Sequence, residues 1–137
     1  MIALIAIALT VLAINLALLS ASMVGFGHWL ALHEQPHQRS MLARLRLIYG
    51  VLVLLLLATL AQVGIWAAVF CLLGEFADYA TAFYFSAVNF ATLGYGDMTM
   101  GAQWRMLGPL EAINGSLMLG LFASVLFAAL QRVLQRR

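Results

Sequence analysis

The chain has 137 residues, of which 65% are apolar and only 9% charged, whereas a soluble domain is about a quarter charged. That balance excludes an ordinary soluble protein and marks an integral membrane protein with room for one small helical bundle. The net charge of +2 rests on seven basic residues, all arginine, too few and too scattered for a nucleic-acid surface. The lone Cys71 can build neither an intrachain disulfide nor a cysteine metal cluster.

The first element is a membrane span. Met1 to Leu32 carries no Asp, Glu, Lys or Arg, and it exceeds the about 20 apolar residues that a bilayer requires. Its run LALLSAS has the look of a signal-peptidase site, but no basic segment precedes it. Residues 1–33 are therefore read as an N-terminal transmembrane helix, with Asn15 suited to bond a neighbouring helix. His28, His33 and His37 cluster near its end and invite a metal or proton-sensing role. Pro36 breaks the helical register between the last two, which favours ordinary interfacial histidines.

Residues 34–46 read as a basic loop containing Arg39, Arg44 and Arg46. A second span follows from Leu47 to Leu73, and a third from Leu107 to Leu130 with Pro109 in its first turn, where a missing N–H is harmless. Residues 131–137 form a short basic tail holding Arg132, Arg136 and Arg137. Between spans two and three stand Glu75, Asp78 and Asp97 against Arg105 alone. Positive charge inside then places the 34–46 loop and the tail in the cytoplasm, and the N-terminus and 74–104 outside.

The stretch from 74 to 104 is too long for a tight turn and too apolar for a solvated loop. DYATAFYFSAVNFAT predicts a short helix with Asp78 as N-cap. It has about 13 residues and cannot cross a bilayer, so it must enter and turn back. The next segment, TLGYGD at 92–97, would then lie as irregular backbone at membrane depth. Such backbone persists only where protein buries it or where it lines a watery cavity.

TLGYGD, with an aromatic helix before it and a membrane span after it, resembles the T-V-G-Y-G-D pore signature of potassium channels. Five matching positions would recur by chance in a chain this long roughly once in ten thousand. The resemblance covers residues 47–130, which it makes an ion-channel pore domain of outer helix, pore helix, filter and inner helix. It implies an all-α, homotetrameric membrane protein in which four chains each supply one strand of the filter. The carbonyls of Thr92, Leu93, Gly94 and Tyr95, together with the Thr92 hydroxyl, would replace the hydration shell of K⁺. Gly94 and Gly96 would permit the φ > 0 that aims successive carbonyls at one axis. Tyr95 would point away from that axis and brace the filter. Asp97 would guard the outer mouth, with the Tyr84 hydroxyl, thirteen residues earlier, donating to it. Leu93 departs from the usual Val, Ala91 from a common Thr, Met100 from Pro, and Phe85 from the Trp of some members.

In the third span Glu111 is the one acid within the membrane spans and a candidate support behind the filter. Gly115 and Gly120 are hinge candidates. They also belong to a row of small residues every four positions, from Gly108 to Ala128, that suits close helix packing. Asn114 and Ser116 are candidates for a water-filled cavity, and Phe122 and Phe127 for an apolar constriction. No span carries a ladder of arginines, and no nucleophile–base pair is apparent. The expected protein is a non-enzymatic channel of the bacterial plasma membrane, passing K⁺ passively without a cofactor. A weakly selective cation pore and a non-conducting accessory subunit remain as alternatives.

Overall fold

The computed structural model describes residues 1–33 and 41–135 as four helices: α1 (Ile2–His33), α2 (Met41–Leu72), α3 (Tyr79–Phe90) and α4 (Leu107–Gln135). The described residues contain no strand. Three helices are long and apolar enough to cross a membrane: Ile2–His28, Met41–Leu72 and Leu107–Gln131. The protein is thus an all-α membrane protein. At 1.5 Å per residue α3 reaches only about 18 Å, short of the about 30 Å of hydrocarbon.

Two predicted boundaries shift. The second helix begins at Met41, six residues before the predicted Leu47. MLARLR contains no helix breaker, and Leu, Ala and Arg are among the best helix formers. The basic loop 34–46 is therefore shorter than expected, because its last residues belong to α2. For the same reason α4 runs through QRVLQ to Gln135, so the tail 131–137 starts as helix. His37 and Arg39 lie outside the described residues.

Burial explains how the helices pair. On α1 the buried residues Val11, Asn15 and Leu19 recur every four positions, one stripe of a helix. That stripe faces α2 and α4 of the same chain. On α2 the stripe runs through Val51, Leu55, Ala58, Gln62, Trp66 and Phe70. Short α3 packs against both α2 and α4, burying Ala82, Phe85, Ser86, Val88 and Phe90. Its middle is fixed by an aromatic cluster: Phe85 meets Phe70 edge-on at 5.5 Å and Phe76 at 5.0 Å. Such pairs add about 0.5–1.5 kcal/mol each beyond their buried area.

Candidate functional site

Everything around 92–97 follows from how α3 starts and stops. Asp78 caps the start with extended backbone, its carboxylate accepting from the Thr81 N–H at 2.9 Å. That hydrogen bond holds the Asp78 carboxyl below its ordinary value, with the Thr81 hydroxyl adding to it. At the other end the Leu93 N–H returns to the Val88 carbonyl at 2.9 Å and the Thr92 N–H to Asn89 at 2.8 Å. These two crossed bonds, with a left-handed residue between helix and tail, are the Schellman way of closing a helix. Glycine usually fills the left-handed position. Here it is Thr92, with φ 59°, and a β-branched side chain in that region is strained by about 1–3 kcal/mol.

The left-handed conformation then recurs at every second residue. Gly94 has φ 57° and Gly96 φ 72°, while Leu93 and Tyr95 between them are not left-handed. A Cβ on either glycine would meet nothing within 4 Å, so backbone conformation, not crowding, requires glycine there. Residues 91–99 are all exposed in the single chain; Leu93 is 55% and Tyr95 65% accessible.

Asp97 follows immediately, and the Tyr84 hydroxyl on α3 donates to its Oδ2 at 2.8 Å. That donated bond is the main reason the Tyr84 phenol is pushed above its ordinary value; desolvation and the Asp97 charge add to it. The loop after Asp97 is tied back by a residue that the sequence reading took only for its charge. Glu75, in the turn after α2, accepts from the Gly101 N–H at 2.6 Å, and Met100 beside Gly101 is buried. Its signal was faint: one acid directly after a membrane span. Between the segment and α4 lies a cavity of about 500 Å³, lined by Asn89, Gly94, Gly96, Asp97, Arg105 and Gly108 among others.

On the protein side, α2, α3 and α4 meet at Ser86. Its Oγ lies 2.9 Å from the Val63 carbonyl oxygen of α2 and 2.5 Å from Glu111 Oε1 of α4. Ser86 and Glu111 are both fully buried. Ser86 had not been singled out, since a serine within an apolar helix carries little signal alone. Lower on α4, an added Cβ at Gly115 would lie 2.1 Å from the Phe90 carbonyl oxygen. Close packing of α4 on the end of α3 thus accounts for this glycine, and α4 is continuous helix through both Gly115 and Gly120. A Cβ at Gly120 meets nothing within 4 Å.

The two cavity candidates separate. Asn114 is buried inside the subunit at 3% exposure, on the face shared with Glu111 and Met118, because positions three and four apart lie on one side of a helix. Ser116 is exposed and bonds its own helix through the Ala112 carbonyl. Phe122 is buried, whereas Phe127 is 61% exposed. On α1 the Asn15 backbone carbonyl, not its amide, accepts from Gln62 Nε2 at 3.4 Å. His28 is exposed.

The chain thus combines three spans with a half-length helix that is followed by exposed backbone of alternating hand. No curated protein and no solved structure matches the chain. A family described as ion channel matches residues 52–132, which take in most of α2, all of α3 and the glycine-containing loop, and most of α4. By that match over more than half its length, the chain belongs to the ion-channel family.

Proposed function

We propose that four copies of the chain surround one axis and form a potassium-selective channel, K⁺ passing passively down its gradient. The observation that carries this reading is the left-handed backbone at Thr92, Gly94 and Gly96, in a segment left bare beyond a re-entrant helix. Backbone of alternating hand allows consecutive carbonyls to face one side, as dehydrating an ion demands. One chain supplies a quarter of such a ring, and the exposure of residues 91–99 fits burial against identical neighbours. The filter ligands are the Thr92 to Tyr95 carbonyls and the Thr92 hydroxyl, with Gly96 closing the strand.

Asp97, held by Tyr84, forms the outer mouth and attracts cations. Ser116, on the exposed face of α4, reaches the central cavity; Asn114 serves the subunit interior. Gly120 is the better bend position, since Gly115 is occupied by packing. The α3 C-terminus faces the cavity and favours a cation there through its dipole. The arginines of the 34–46 loop and of the C-terminal tail favour an N-terminus outside and a C-terminus in the cytoplasm of a bacterial plasma membrane.

Purified protein in liposomes tests this. The expected result is K⁺ flux with K⁺ favoured over Na⁺ in reversal potentials and blocked by barium. Gly94→Ala, which places a Cβ at φ 57°, should abolish the flux while leaving the oligomer intact. Equal K⁺ and Na⁺ permeation would identify a weakly selective pore, a result favoured by the absence of a hydroxyl at Ala91. No flux at all would identify an accessory subunit.

A further inference from the structure

The Ser86 junction poses a problem of counting protons. A serine hydroxyl has one proton to give, yet Ser86 Oγ stands at hydrogen-bonding distance from two oxygens, Val63 O at 2.9 Å and Glu111 Oε1 at 2.5 Å. A peptide carbonyl only accepts, and an ionised carboxylate only accepts. With Glu111 ionised, one of the two contacts would be oxygen against oxygen with no proton between them. Both contacts become hydrogen bonds only if the second proton belongs to Glu111.

The surroundings agree. Asn89, one turn along α3 from Ser86, is the other group facing the carboxyl, and it is neutral. Oε2 has no hydrogen-bond partner among the described residues. The titratable groups of α3, Tyr79 and Tyr84, are engaged elsewhere, with the Gly64 carbonyl and Asp97. Those of α2 stand at its ends: Arg44, Arg46 and Tyr49 at one, Cys71 at the other. From Ile2 to Gly27 α1 has none, and α4 has no other before Arg132. Arg105 and Asp97 line the cavity on the filter side, where Glu111 does not appear. A buried carboxylate without a cation is strongly disfavoured.

We propose that Glu111 is a neutral carboxylic acid acting as a proton donor. It donates to Ser86, and Ser86 donates to Val63, so that one directional chain of hydrogen bonds runs from α4 through α3 to α2. Glu111 is thereby a positioning residue: it sets the depth of the pore helix, and through Thr92, which closes that helix, the filter. Its influence on selectivity rests on the channel reading; the proton does not. An ionised Glu111 would draw the Ser86 proton to itself and release α2.

The test uses the full-length protein reconstituted in liposomes at neutral pH. Infrared spectra of wild type minus Glu111→Gln should show the carbonyl stretch of a protonated acid, readily assigned in a chain with five acidic residues. Ser86→Ala should move that band to higher frequency, because the acid loses its acceptor. Glu111→Gln presents an amide N–H where the acid presented O–H, so its melting temperature and K⁺/Na⁺ reversal potential should match wild type. Glu111→Ala should lower the melting temperature and shift the reversal potential towards zero selectivity. Absence of the band in wild type would overturn the proposal, as would Glu111→Gln damage equal to that of Glu111→Ala. A band present in protein that passes no K⁺ would uphold the neutral acid and refute the channel reading instead.

Discussion

Two residues show how far a side chain can be read before a fold is known. The resemblance to potassium-channel pores already suggests that the Tyr84 hydroxyl faces the carboxylate of Asp97, thirteen residues on. The bond stands at 2.8 Å. It favours the neutral phenol, so Tyr84 ionises above its ordinary range. The stability it contributes is fully present below the ordinary phenol pKa and is lost as pH rises through the higher folded value. Spectrophotometric titration of the four tyrosines should therefore show a late-ionising component, and Asp97→Asn should move it to lower pH. Thr92 was readable only in part. The resemblance implies a ligand role for its hydroxyl, but nothing in the letters says that a β-branched residue would take φ 59°. That angle comes from the way α3 must close, and strain of this kind tends to gather where a site requires a particular group.

The helices themselves were mostly legible, since bilayer thickness sets their length and apolar runs reveal it. The short α3 was legible because Asp78 announces its start and no Gly or Pro interrupts it before Gly94. What escaped was everything set by depth between helices. A row of small residues on α4 predicts that some backbone comes close. Which glycine it meets depends on where Phe90 ends. Ser86 and Glu75 were missed for the same reason: each gains meaning only from a partner more than twenty residues away. The two glycines on α4 should respond differently. Gly115→Ala drives a methyl into the Phe90 carbonyl and should cost about 1–3 kcal/mol or more, by the measure of overpacked sites. Gly120→Ala has open space and better helix propensity, and should leave the melting temperature unchanged or slightly raised. Thermal melts of the two variants in one detergent make the comparison.

At the scale of the whole chain, family and span count could be read directly, but the position of α1 could not. It lies against α2 and α4 of its own chain through Val11, Asn15 and Leu19. An apolar helix bears no sign of which neighbour it will choose. Its residual signal was Asn15, an amide too costly to leave facing lipid. Orientation rests on arginine placement, and this too can be checked. In a Cys71→Ser background, Ala102→Cys on the exposed loop between Asp97 and α4 should react with a membrane-impermeant maleimide from outside intact cells. A cysteine replacing exposed Met41 at the start of α2 should react only after the membrane is opened. The reverse pattern would turn the molecule over.

The contact at Gly115 has a mechanical consequence. A helix is a stiff rod, and this one comes against the carbonyl at the end of α3 eight residues from its own beginning and twenty from its end. At 1.5 Å per residue the arms measure about 12 Å and about 30 Å. The Phe90 carbonyl is then a fulcrum placed close to the load. Sideways travel of about 2.5 Å at the lower end of α4 becomes about 1 Å at its top, with force multiplied in the same ratio. The short arm carries Glu111 and Gly108. Whatever pulls on the far end works the region around Glu111 and Gly108 with leverage.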